Sequence, residues 1–148
     1  MNWDALGAIG EILGAIAVLI TLLYLAAQVK QANAMASFET TREIMAQFND
    51  LNRLYATDSA IRQVLLKEGE LSVEEDEQSY TYADMYCNAW ATTQIAFNQG
   101  QIDKALYDSV VGDVGIALKR WPGMRRQVDR WFHNYPGLRA YGIFETVN

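Results

Sequence analysis

Cysteine and histidine are nearly missing from this chain, which has one of each, Cys87 and His133. A single cysteine excludes an internal disulfide, and one Cys with one His cannot assemble a zinc or iron-sulfur ligand set. No metal and no other cofactor is therefore expected. Proline is almost as scarce: Pro122 and Pro136 are the only two, and neither Pro nor Gly occurs between Gly14 and Gly69. That long stretch without a helix breaker has no extended run of strand-type alternation either. Positive charge is also short, with 12 Lys and Arg against 18 Asp and Glu and a net charge of -6, which argues against nucleic acid as a partner.

What is abundant is apolar, and it is concentrated. Hydrophobic residues make up 51% of the chain while mean hydropathy is only -0.08, so one region carries the excess. From Ala5 to Ala27, 23 residues contain a single charge, Glu11. As a helix this run would extend about 35 Å, enough to cross the hydrocarbon of a bilayer. A transmembrane helix is the reading adopted, against three alternatives. A cleavable signal peptide would account for the run and for the small-x-small triplet Ala32-Asn33-Ala34, but the leading Met1-Asn2-Trp3-Asp4 has no basic residue. A buried helix of a soluble core, or a helix lying on a membrane surface, would present a polar face, and none develops before Gln28. Lys30 and Arg42 follow the run and no basic residue precedes it, which favours a cytoplasmic C-terminal side.

Within the run, Gly7, Gly10, Gly14, Ala17 and Thr21 recur at three- and four-residue spacing and continue as Tyr24, Gln28 and Gln31. Ile9, Ile12, Ile16, Leu19 and Leu23 lie opposite. Between helices in lipid there is no hydrophobic gain, so association depends on close backbone approach, which small residues permit. The seam therefore predicts packing against another helix, from a second copy of the chain or from another membrane protein. Glu11 stands about 60° from Gly14 around the helix, at the border of that seam. Three roles are open to it: a carboxylate ring beside the pore of a homo-oligomeric channel, a hydrogen bond to a partner helix, or a carboxyl reaching for the headgroups.

Downstream the helical pattern persists through Met35, Phe38, Met45 and Phe48, with Ile44, Leu51 and Tyr55 as a neighbouring row. One helix from about Asp4 to Tyr55 is predicted, with the small residues between Ala32 and Ala36 as the place for a break. Thr57-Asp58-Ser59 starts a short helix through Ile61, Val64 and Leu65, which Gly69 would terminate. Ser72-Val73-Glu74-Glu75 is a capping box, and the helix behind it runs through Tyr82, Tyr86, Trp90 and Phe97 to Gly100. The acidic cluster Glu74, Glu75, Asp76 and Glu77 thus falls where the helix dipole favours it. Asp103 caps the next helix, with Ile102 and Tyr107 as a hydrophobic staple and Leu106, Val110, Val114, Ala117, Leu118 and Trp121 as its buried face.

Near the end, Trp121-Pro122-Gly123-Met124-Arg125 and Tyr135-Pro136-Gly137-Leu138-Arg139 repeat one pattern 14 residues apart. Proline at the first helical position reads each as a helix start. Six of the 12 basic residues, Lys119, Arg120, Arg125, Arg126, Arg130 and Arg139, lie here. Arg125, Arg126 and Arg130 among aromatics form either a surface for anionic lipid or an acidic partner, or cations in water and paired with the acidic helix start. Asp129 and His133 share a helix face one turn apart, the only arrangement with a catalytic look, and no nucleophile or phosphate loop accompanies it. Cys87 reads as a small buried residue rather than a reactive thiol.

The segments "ALGAIGEILGAIAVLITLLYLAAQVKQ" at 5–31 and "WPGMRRQVDRWFHNYPGLRAY" at 121–141 cover about a third of the chain. They resemble the two ends of a group of small, uncharacterised bacterial membrane proteins. The resemblance implies a bacterial, membrane-anchored helical protein and implies no activity. The expected architecture is all-α: a transmembrane helix and flanks at 1–30, a helical extension at 31–56 and a soluble helical domain at 57–148. The expected function is non-catalytic, a single-pass protein of the bacterial inner membrane that contacts lipid and oligomerises or serves as an accessory or scaffold subunit. A small ion channel with Glu11 near its pore and a membrane-tethered enzyme are the alternatives.

Overall fold

The computed structural model describes residues 2–147, with side chains excepted at 5, 6 and 145–147. Five α-helices and two 3-10 helices, and no strand, occur among the described residues: α1 (Trp3–Thr57), α2 (Ser59–Leu66), α3 (Val73–Asn98), α4 (Lys104–Arg120) and α5 (Pro122–Asn134), then 3-10 helices Pro136–Ala140 and Gly142–Val147. The protein is all-α, a long apolar N-terminal helix followed by a small helical bundle. It divides into two compact units, Met1–Phe38 and Glu39–Asn148.

The first unit is helical throughout its described residues after Asn2. α1 does not break between Ala32 and Ala36. Alanine and serine there are short but not helix-breaking, and only Gly or Pro would have carried a large penalty. Inside the helix Thr21 Oγ1 donates to the Ala17 carbonyl at 2.9 Å and Gln28 Nε2 donates to the Tyr24 hydroxyl at 2.8 Å. These two polar side chains thus find partners one turn away.

In the second unit the remainder of α1 becomes one-sided. Ile44 and Leu51, seven residues apart, are buried, whereas Met45 is exposed. The inward stripe is therefore the Ile44 and Leu51 row. Asp58 caps α2, its Oδ1 accepting from the Ala60 and Ile61 amides at 2.8 and 3.2 Å. α2 stops at Leu66, ahead of Gly69: Lys67 leaves the helical region, and its Nζ meets both oxygens of Glu75 at 2.9 and 2.7 Å. Glu75 also completes the capping box, with Ser72 N donating to Glu75 Oε2 at 2.8 Å and Glu75 N to Ser72 Oγ at 3.2 Å. Gly100, at φ 67, ends α3 in the left-handed conformation that glycine adopts without strain. Asp103 Oδ1 accepts from Leu106 N at 2.8 Å to open α4, and Ile102 is buried with Tyr107 packed nearby.

Trp121 closes α4 and precedes Pro122 at the first position of α5. Pro136 starts a 3-10 helix rather than an α-helix. The bonds Leu138 N to Tyr135 O, Tyr141 N to Leu138 O and Phe144 N to Tyr141 O span three residues each. Only five residues lie between Tyr135 and Tyr141, and this tight winding is followed by the fully buried Ile143 and Phe144.

α3 packs against α2, α4, α5 and the last 3-10 helix. Trp90, Trp131, Tyr82, Phe144 and Met124 are fully buried. The Phe144 ring lies 5.1 Å from Phe132, 5.5 Å from Trp131 and 6.3 Å from Trp90 between ring centres, so the last turn closes an aromatic core. Buried Gln94 fastens that turn: its Oε1 accepts from Ile143 N at 2.8 Å and from Tyr107 Oη at 2.6 Å.

Candidate functional site

The apolar part of α1 is the largest feature that the chain's own contacts leave uncovered. It contains an 18-residue window of mean hydropathy 2.3, none of it buried. It is the one described helix long and apolar enough to cross a membrane. Ile12, Leu13, Leu19, Ile20 and Leu23 each keep three-fifths or more of their surface open. Gly7, Gly10, Gly14, Ala17 and Thr21 lie along one face of this helix by spacing and are all exposed. A methyl group added at Gly7, Gly10 or Gly14 would meet nothing within 4 Å beyond its chain neighbours and the helix's own adjacent backbone. These glycines are not consumed by contacts inside the chain. Glu11 is likewise exposed, next to them.

The three arginines have separate placements. Arg130 Nη1 meets Asp76 Oδ2 at 3.0 Å, its Nη2 lies 3.6 Å from Glu77, and its guanidinium sits 4.1 Å from the centre of the Tyr80 ring. Gln127 Nε2 donates to the other Asp76 oxygen at 2.6 Å, so the α3 start is stitched to α5. Arg126 donates to the Lys67 carbonyl at 3.1 Å, and Arg125 is exposed. This geometry brings Arg126 and Arg130 into the bundle's own bonds and leaves Arg125 facing water.

Asp129 and His133 are both exposed. No three His, Cys, Asp or Glu side chains among the described residues converge on a common point. Cys87 is completely buried on α3, and burial, with Asp84 adding to it, pushes its thiol far above the ordinary value. A thiol held protonated in this way is a packing group rather than a nucleophile.

Sequence reasoning missed a cleft in the second unit. It has a volume of about 210 Å³ and is walled by Phe48, Tyr55, Tyr86 and Trp121, with Asp113 and Arg120 along α4. Tyr55 and Trp121 have ring centres 4.9 Å apart, and Trp121 stands edge-on to Tyr86 at 5.6 Å. Arg120 lies 5.8 Å from the Tyr55 ring centre and 5.9 Å from that of Trp121. The Tyr86 hydroxyl donates to Asn52 Oδ1 at 3.2 Å, and burial holds this phenol above its ordinary range. One signal was present: Asp113, Ile116, Ala117 and Arg120 share a face of α4 at helical spacing. What faces them, from α1 and α3, is not a matter of spacing.

Comparison of the chain with protein-family models, with curated proteins and with solved structures finds no match.

Proposed function

We propose that this is a single-pass protein of the bacterial inner membrane, anchored by the apolar part of α1 with its bundle in the cytoplasm. It acts without catalysis, associating with itself or joining a membrane complex as an accessory subunit. The observation that carries the reading is the uncovered apolar window of α1. An apolar surface of that extent, with no polar side to offer to water, calls for lipid or another protein around it. The unfilled glycine face supports a helix contact within the lipid, where close approach replaces the hydrophobic effect as the source of attraction. Lys30 and Arg42 beyond the apolar run support the cytoplasmic side for the bundle.

The test is the size of the detergent-solubilised particle, measured by light scattering, for the wild type and for Gly10→Leu with Gly14→Leu. Leucine at both positions would hold neighbouring backbones apart, so the particle should shrink or lose a co-purifying subunit. A wild-type particle that is already a bare monomer overturns the association. Recovery of the chain in the soluble fraction after membrane sedimentation overturns the anchor.

A further inference from the structure

The aromatic cleft between α1, α3 and α4 has features that fold stability does not require. Asp113 and Arg120 are exposed, and among the described residues neither is in an ion pair. They are seven residues apart on α4, which puts them on the same face and about 10 Å apart along the axis. Between them lie Ile116 and Ala117, and behind these stand the rings of Phe48, Tyr55, Tyr86 and Trp121. Arg120, without an ion pair and lying near the Tyr55 and Trp121 rings, Asp113, without an ion pair at the other end of that α4 face, and the π faces beside them form a polarised slot. Its volume of about 210 Å³ falls below the usual range for drug-sized ligands and suits a single ring.

We propose that this cleft binds a small aromatic carboxylate carrying a hydrogen-bond donor at the far end of its ring, the para-hydroxybenzoate type of molecule. The carboxylate pairs with the Arg120 guanidinium, whose planar fork matches it. The ring lies against Tyr55 and Trp121, whose rings touch each other at 4.9 Å between centres and form one wall of the slot. The para hydroxyl donates to the Asp113 carboxylate, which also disfavours a second acid at that position. Tyr86 remains a protonated phenol, because burial raises its pKa, and it holds the Asn52 side of the wall through its hydrogen bond. The site draws only on the second compact unit and stands independently of the membrane assignment.

The test is isothermal titration calorimetry of the detergent-solubilised full chain with 4-hydroxybenzoate, benzoate and 4-hydroxybenzyl alcohol. Binding should rank in that order, with the alcohol weakest. Arg120→Gln should weaken both acids by about tenfold or more, as expected for loss of a charge-assisted pair. Asp113→Ala should erase the preference for 4-hydroxybenzoate over benzoate while leaving benzoate bound. Both side chains are exposed, and far-UV circular dichroism of each variant checks that the bundle is intact. Ile116→Trp, at an exposed position of the wall, should block the slot without touching either charge. Absence of saturable binding by either acid up to about 10 mM, a regime weaker than roughly 3 kcal/mol, overturns the proposal. So does binding of the acids that Arg120→Gln leaves unchanged, or an alcohol that binds as well as the acids.

Discussion

Gly123 and Gly137 occupy the same place in the two aromatic-Pro-Gly-apolar-Arg segments, and replacing each with alanine should have opposite effects. A Cβ at Gly123 would lie 2.9 Å from the Val64 carbonyl oxygen, 3.0 Å from Leu65 Cα and 3.2 Å from the Leu65 carbonyl oxygen. All three are backbone atoms of α2, so no side-chain rotation relieves the contact. The α2 and α5 backbones would have to separate beside Leu65 and Met124, both fully buried. Overpacking of this kind costs about 1 to 3 kcal/mol, and the better helix propensity of alanine returns at most about 1. The net loss is about 1 to 2 kcal/mol. For a unit of this size that corresponds to a Tm lower by roughly 5 to 10 °C. At Gly137 nothing lies within 4 Å of the added methyl and φ is not positive, so alanine restricts only the unfolded chain. It should be neutral or stabilise by up to about 1 kcal/mol. Thermal melts of the two full-length variants, followed by tryptophan fluorescence in one detergent, decide the matter. A Gly123→Ala protein as stable as Gly137→Ala would refute the close packing of α5 on α2.

Gln94→Met keeps the bulk of the side chain but removes the acceptor for the buried Ile143 amide, a loss of about 1 to 3 kcal/mol; hydrogen exchange at Ile143 should accelerate, and unchanged protection there would count against the latch. Glu75 is held below its ordinary value of 4.5 by the hydrogen bond from Lys67 first and the Ser72 amide second. Its folded pKa is depressed, so its contribution is present above about pH 4.5 and is lost as pH falls through the lower folded value. The Tm difference between wild type and Glu75→Gln should therefore shrink on acidification through that window, and a constant difference would exclude the linkage. Under the membrane reading Glu11 borders the helix contact as a hydrogen-bonding group, so Glu11→Ala should weaken association in vesicles about three- to tenfold while Glu11→Gln preserves it. Equal association of all three, read by energy transfer between labelled copies, would remove Glu11 from the contact.

The parts of the fold legible in the sequence are those whose physics acts over a few residues. Asp58, Ser72 and Asp103 cap helices because a side-chain oxygen reaches an amide two or three residues away, and Gly100 ends α3 because its φ is positive. The length of α1 follows from the lack of Pro and Gly after Gly14. Features that depend on residues far apart in the chain were not legible. Gly69 has the composition of a helix stop, yet α2 ends earlier, where Lys67 turns to reach Glu75. Gly123 reads as part of a Pro-Gly helix start, while its demanding property is the distance to α2. Gln94 and Phe144 carry no local signal at all, and their roles come from Ile143, Tyr107 and three aromatic rings brought to them by the fold. Of the candidate sites, the glycine face was readable because one helix contains all of it. The aromatic cleft was not, since three helices contribute its walls.

Under the membrane reading, α1 is one continuous helix that meets two solvents. Between Ile9 and Val29 the large apolar side chains stand exposed around most of the axis, and the remaining face carries the small residues Gly10, Gly14, Ala17 and Thr21, so the helix has no charged face to turn toward water. From Glu39 onward the pattern becomes one-sided: Ile44 and Leu51 are buried, while Glu39 pairs with Arg42 and Asp50 with Arg53 on the exposed side. The second regime is that of an amphipathic helix whose apolar stripe is satisfied by its own bundle. In the first regime no contact within the chain satisfies the apolar surface, and propensity alone contributes only tenths of a kcal/mol per residue. The two regimes meet between Gln28 and Arg42, where charge first reappears as Lys30 and then as Glu39. That interval is where the proposed anchor would leave the hydrocarbon. It explains why a stretch rich in alanine, serine and glutamine, with no core to pack against, separates the apolar run from the stripe.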